Sequence, residues 1–216
     1  FKKKNYISKK LDMKKFLLSF ILISGLLFSQ ESNYQGFMNF SYNDDSGKII
    51  LEIDNLDSEF LYINSLSRGV GNNDLGLDRG QLGNSRIVYF TKRGNKILLI
   101  QPNLKYISNS SNELENKAVE EAFARSVLFG FEIIEKSENI YKVDLTPFLI
   151  SDAHGVSQRL KYSNSGSYNL NKSMSAIDLV RTKAFPENIE FDVLLTFTGN
   201  PSGNLVRSVT PTPSNL

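Results

Sequence analysis

The sequence predicts an α+β, mainly β protein: antiparallel sheet(s) with one packed α-helix over about residues 113–129. Three observations predict it. Two pairs of alternating apolar and polar segments are joined by short turns. Only one stretch places apolar residues at helical spacing between a cap and a glycine. The remaining polar stretches are rich in Ser, Asn and Gly, as loops are.

The first pair is Phe37 to Tyr42 and Lys48 to Ile53, joined through Asn43-Asp44-Asp45-Ser46-Gly47. Glu59 to Leu66 reads as a third strand. Arg86 to Thr91 and Lys96 to Gln101 form a second hairpin about Arg93-Gly94-Asn95, and Tyr106 is a candidate extension of it. The helix starts at Asn112, a capping residue with Glu115 three positions on. Val119, Ala122, Phe123, Val127 and Leu128 follow at helical spacing and are expected to face the core, with Gly130 as the terminator. Phe131 to Ile134 and Ile140 to Leu145 read as strands, and Pro147 to Ile150 as one helical turn. Asp152 to Ser173 reads as loop, Ile189 to Phe197 as one strand and Val206 to Val209 as a last short strand.

The N-terminal end has an export pattern. Met13 precedes Lys14 and Lys15, an apolar run from Phe16 to Phe28, and Ser29, a small residue suited to a cleavage site. Residues 13–29 are therefore expected to be a signal peptide, 1–12 an upstream non-native segment, and 30–216 the exported domain. The alternative is a buried N-terminal helix. The run is shorter than the roughly 20 residues that a membrane-spanning helix needs. No second apolar stretch is long enough to span a bilayer, so no membrane association is expected after cleavage.

Charge follows the same division. Residues 1–29 hold seven of the 25 basic residues and one of the 23 acids, leaving 18 against 22, a net of −4. That balance removes the clustered basic face a nucleic-acid partner would need. The chain has no Cys, which excludes disulfides, thiolate metal sites and a Cys nucleophile.

Candidate chemistry is sparse. The one His is His154, in Asp152-Ala153-His154-Gly155-Val156, and a catalytic zinc needs three protein ligands. No H-E-x-x-H and no G-x-S-x-G occurs. Asp152 and His154 are expected in an ordered loop, with the imidazole bonded to backbone. The stretch from Arg68 to Asn84 has glycines at 69, 71, 76, 80 and 83, interspersed with Asp74, Asp78 and Arg79. It fits neither a phosphate loop nor an EF-hand. An irregular calcium site around Asp74 and Asp78 is one alternative; tight turns that brace the loop are the other. Arg181, Lys183 and Glu187 flank Phe185 and Pro186, an apolar pair with a charged rim. Both segments are candidate interdomain contacts. Paired carboxylates for acid–base work cannot be argued, because no two acids stand out in an apolar setting.

Five stretches occur in an order and at spacings that resemble one family. They are NDLGLDRGQLG (Asn73 to Gly83), AVEEAFARSVLFGF (Ala118 to Phe131), DAHGV (Asp152 to Val156), TKAFPENIEF (Thr182 to Phe191) and VRSVTPTP (Val206 to Pro213). The resemblance spans roughly Gly36 to Pro213 and is to bacterial secreted zinc-dependent metalloproteases. It implies a domain of unknown function in front of a met-zincin-like catalytic domain, whose extended H-E-x-x-H motif is absent here. Catalytic, cofactor-binding and metal residues in this chain are then none, and zinc belongs to the catalytic domain. The partners implied are that domain and a peptide or protein substrate. The other class is a stand-alone β-rich module that binds peptide or glycan.

Overall fold

Alternating apolar residues and locally specified turns build one curled antiparallel sheet. The computed structural model describes residues 31–216; the expected leader and the segment before it lie outside the described residues. The strands are β1 (Glu31–Tyr34), β2 (Phe40–Asn43), β3 (Lys48–Ile53), β4 (Glu59–Tyr62), β5 (Arg86–Arg93), β6 (Lys96–Gln101), β7 (Ser126–Ser137), β8 (Ile140–Asp144), β9 (Gly166–Leu170), β10 (Ala176–Ala184), β11 (Ile189–Leu194) and β12 (Phe197–Pro201). The helices are α1 (Glu113–Ala122), α2 (Thr146–Leu149) and α3 (Val156–Tyr162). The chain is thus mainly β, as the alternation predicts.

Eight strands form the main sheet in the order β1-β2-β3-β8-β7-β6-β5-β4. Local chemistry sets its hairpins. Asn43 closes the β2–β3 turn, its Oδ1 accepting from the Ser46 amide at 2.9 Å. Gly94 supplies the left-handed residue, φ 60°, that the tight β5–β6 turn requires. The long strand β7 serves two ladders. Its first half pairs with β6, from Gln101↔Ser126 to Lys96↔Glu132. Its second half pairs with β8, from Ile133↔Val143 to Ser137↔Ile140, with an irregularity between Ile133 and Glu135. A bulge of this kind turns a strand from one half of a sheet into the other.

Period-2 alternation sends one side chain in two inward. Ile49, Leu51 and Ile53 of β3, Val88 and Phe90 of β5, Ile97 and Leu99 of β6, Phe131 of β7 and Val143 of β8 form the main core. The β10–β11 hairpin covers it, with Phe191 4.8 Å from Phe40 between ring centroids. A second core joins Leu75 and Leu77 to Val156, Leu160, Tyr168, Phe197 and Val206. Strands β9 and β12 form its two-stranded sheet.

Several expectations are corrected. The helix over 113–129 ends at Ala122, and Val127 and Leu128 belong to β7. Asn112 does cap it, its Oδ1 accepting from the Leu114 amide at 3.0 Å. Gly130 is not a helix terminator but pairs with Leu98 inside the ladder. Ladder bonds to β6 and burial of Phe131 outweigh a further helical turn. The helix is also not packed: none of its residues is buried, and Leu114 is 75 % exposed. Helix α1 belongs to an excursion between β6 and β7, where Tyr106 stacks on Phe123 at 4.1 Å instead of extending the sheet.

The region from Asp152 to Ser173 holds α3 and β9 rather than loop alone. Its polar residues act as caps and turns, with Asp152 accepting from the Val156 and Ser157 amides. The strand expected over Ile189 to Phe197 divides into β11 and β12, which pair with different partners. The stretch from Val206 to Val209 is a turn, with the Thr210 amide donating to the Val206 carbonyl at 3.2 Å.

Phe131→Ala should lower the free energy of unfolding by about 3–5 kcal/mol, the usual cost of emptying a buried aromatic site. Leu114→Ala should change it by less than about 0.5 kcal/mol, as at an exposed surface position. Urea titration of residues 30–216 and the two variants measures both. Equal losses would mean that α1 is held by the core after all.

Candidate functional site

The glycine-rich loop leaves the end of β4 and returns to the start of β5 as a folded strap. Its limbs bond to each other. The Leu66 amide donates to the Gln81 carbonyl at 2.9 Å, and the Gly80 amide to the Leu66 carbonyl at 2.7 Å. The Val70 amide donates to the Leu77 carbonyl at 3.0 Å, and the Gly83 amide to the Asn64 carbonyl at 2.7 Å. At the tip, Asn73–Leu75 form a 3-10 turn that Asn72 caps and left-handed Gly76 ends. The turn aims Leu75 and Leu77 into the second core, each 1 % exposed. Asp74, Asp78 and Arg79 remain on the exposed side. The loop is therefore anchored by apolar burial, which accounts for its order without a bound cation.

His154 ties the base of this strap to the turn before α3. Its Nδ1 lies 3.0 Å from Asn64 Nδ2, and its Nε2 3.2 Å from Gln81 Oε1. Arg86 fixes the sense of these bonds. Its guanidinium can only donate, and Nη1 donates to Asn64 Oδ1 at 3.2 Å. Asn64 must then present its amide hydrogens to His154 Nδ1, which accepts, while Nε2–H donates to Gln81. The imidazole is neutral in this arrangement; protonation would break the Asn64 bond unless the amide turned, and turning it would cost the bond from Arg86. Desolvation is the main effect that lowers the His154 pKa below 6.5; Arg159 adds to it and Asp152 opposes it. The expected bond to backbone is thus replaced by bonds to two side chains.

The hairpin beneath the strap holds the charges. Asp178 and Asp192 stand directly opposite each other on β10 and β11. Like charges in that register repel, and each acid has its own counter-charge. Arg68 of the strap donates to Asp178 Oδ2 at 3.0 Å. That bond, followed by the Val180 amide, holds the Asp178 carboxyl below its ordinary range. Ser67 Oγ donates to Asp192 Oδ1 at 2.8 Å. Arg181 Nε lies 2.9 Å from Asp192 Oδ2, but off line, so this is an ion contact rather than a hydrogen bond.

Of the residues predicted as interdomain contacts, Arg181 is thus engaged within its own hairpin. Asp74, Asp78, Arg79, Lys183 and Glu187 are exposed and form no ion pair among the described residues. The two segments are joined instead by Ser67 and Arg68, which the sequence reading passed over. Asp178 and Asp192 were missed too, although each sits between apolar neighbours, in Ile177-Asp178-Leu179 and Phe191-Asp192-Val193. That interruption of a strand pattern was the available signal.

These residues do not fit a zinc centre. Both nitrogens of the one histidine are engaged by amide side chains. No three His, Cys, Asp or Glu side chains converge among the described residues. The arrangement can brace a strap against a hairpin and a helix; it presents no nucleophile with a base.

Because the folded state favours neutral His154, its contribution to stability should be complete above the unfolded pKa near 6.5. It should decline as pH falls from there toward the folded pKa. One imidazole signal followed by NMR should titrate with a midpoint below 6.5. Over the same window, wild type should lose stability relative to His154→Gln. A midpoint above 6.5 would show that the network favours the imidazolium.

Comparison with known sequences gives a match over residues 80–214 to the model of a family described as "Domain of unknown function (DUF5117)". No curated protein and no solved structure matches the chain. The matched span takes in β5 to β12, the returning limb of the strap, His154 and the Asp178–Asp192 hairpin. It covers well over half of the 216 residues, and the chain belongs to the DUF5117 family.

Proposed function

We propose that this chain is the non-catalytic front domain of a secreted zinc-dependent metalloprotease, acting as a scaffold or substrate guide for a catalytic domain downstream. The observation that carries the reading is where the five motifs of the resemblance fall. Asn73 to Gly83 supplies Leu75 and Leu77, Val156 ends the third motif where α3 begins, and Val206 opens the last; all four side chains lie in the second core. Asp152 caps α3, and Thr182, fully buried, ties β10 to β11 through the Asp192 amide. These motif residues are braces, as a scaffold requires, and none of them forms a reacting set. Zinc and the general base would belong to the catalytic domain.

In this reading Asp74, Asp78, Arg79, Lys183 and Glu187 contact that domain, and Arg181 supports them from its own hairpin. Export follows from the leader pattern of residues 13–29. A stand-alone β-rich module binding peptide or glycan is the second reading. The order of the five motifs favours the first.

Purified residues 30–216 should not hydrolyse casein with or without added Zn²⁺. The full-length gene product should contain zinc and hydrolyse casein until a chelator is added. Chelator-sensitive hydrolysis by residues 30–216, or a full-length product without zinc, would sink the reading. Asp78→Ala should leave the unfolding of residues 30–216 within about 0.5 kcal/mol of wild type, as an exposed residue does. In the full-length protein it should cost about 2 kcal/mol or more where a buried interface pair loses its partner. Equal effects in both proteins would leave Asp78 a purely local role.

A further inference from the structure

We infer that the free edge of β4 binds an extended peptide as an added strand, with a basic side chain of that peptide seated beside Asp54 and Glu59. Among the described residues strand β4 pairs only with β5, so one backbone edge of Glu59–Tyr62 has no strand partner there. Edges of this kind are ordinarily blunted by lysine, proline or a bulge. Here the ladder with β5 is unbroken from Glu59↔Tyr89 to Tyr62↔Arg86, and Glu59 is the only charge on the strand.

The side chains along this edge are apolar. Phe60 and Tyr62 face the main core, while Leu61 and Ile63 alternate outward, 58 % and 43 % exposed. Leu82, 69 % exposed, continues the apolar surface at the bridge between Ser65 and Leu82. The other free edge, β1, is polar, with Glu31, Ser32 and Asn33 exposed.

A cleft of about 480 Å³ opens at the start of β4. Phe37, Met38 and Phe60 form its apolar walls, and Asp54, Glu59 and Ser58 its polar ones. No lysine or arginine lines it. Phe37 meets the Phe60 ring edge-on at 6.2 Å, and its amide is fixed to the Phe185 carbonyl at 2.7 Å. These two contacts position Phe37 at the cleft. A strand laid along β4 gains backbone bonds over its length, and side-chain choice enters where it passes the two acids. A long aliphatic stem with a cationic head, as in lysine or arginine, suits a mostly polar cleft in which two carboxylates stand beside aromatic and methionine side chains.

This inference gives substrate guiding a location and so deepens the function proposed above. Its test needs no hydrolysis, so its failure and that of the protease reading are separate results. The probes are acetylated, amidated nonapeptides Ser-Val-Thr-Val-X-Val-Thr-Val-Ser with X as Arg, Lys, Leu or Asp. They are titrated into isotopically labelled residues 30–216 and followed by NMR. The Arg and Lys peptides should bind tightest, the Asp peptide at least ten-fold more weakly, with shifts centred on residues 59–63. N-methylation along one peptide edge should weaken binding at least ten-fold, and along the other edge should not. Leu61→Lys, at an exposed position, should reduce binding of the Arg peptide at least ten-fold without changing the protein's melting temperature. The inference is overturned if no peptide shifts residues 59–63 at millimolar concentration, or if methylation of either edge is equally tolerated. It is also overturned if sedimentation shows the chain dimerising through β4 in a manner that Leu61→Lys abolishes, which would assign the edge to a second copy.

Discussion

Strand β7 is shared by two ladders, and the rest of the fold depends on that sharing. Its 12 residues are about twice an average strand's length. The first half completes β4-β5-β6; the second completes β1-β2-β3-β8. Phe131 sits just before the transition, and its ring meets Phe90 at 6.2 Å, Phe129 at 4.8 Å and Phe148 of α2 at 6.0 Å. One buried aromatic thus ties β5 and β7 to the short helix, whose Thr146 hydroxyl in turn accepts from the Ile49 amide of β3. The ion pairs of Lys142 with Glu52 and Glu135 lie on partly exposed side chains, where such pairs contribute little. Apolar contact at the corner, rather than charge beside it, holds the halves together.

The glycine-rich strap extends this order to the second core. It is anchored at β4 and β5, and it delivers Leu75 and Leu77 some distance away in space. It contacts β10 and β11 through Arg68 and Ser67, and the α3 turn through Gln81 and Asn64. Close backbone approach is necessary for this: a Cβ on Gly69 would lie 2.8 Å from the Leu77 carbonyl oxygen and the Arg79 nitrogen. A side chain there would force the limbs apart and withdraw both leucines. The two cores are therefore coupled through backbone geometry as well as through contacts.

The parts legible in the sequence are those whose determinants are local. Lys48–Ile53 and Lys96–Gln101 were read to the residue, because period-2 alternation and a turn define them without distant help. The start of α1 was legible from Asn112 for the same reason. Its end was not, because Val127 and Leu128 fit a helical spacing as well as a strand, and only pairing with β6 decides between them. Strand β10 was missed because four of its nine residues are polar or charged, and its tie to β11 passes through the Thr182 hydroxyl. The bonds of His154 span 90 and 73 residues of sequence, and nothing near it identifies Asn64 or Gln81 as partners.

The direction of that network bears on what the chain can do. Arg86 cannot accept a hydrogen bond, so Asn64 has one orientation and His154 one tautomer. For His154 to act as a base, or to hold a metal through Nδ1, the Asn64 amide would have to leave and a half-buried donor would lose its partner. The only side chain with an ordinary pKa near neutrality is thus committed to structure. The two acids that a sheet places side by side are likewise committed, one to Arg68 and the other to Ser67 and Arg181. His154, Asp178 and Asp192 thus act as braces of the strap and its hairpin. What these elements contribute is bracing: they hold β4 by both the strap that follows it and the ladder beside it.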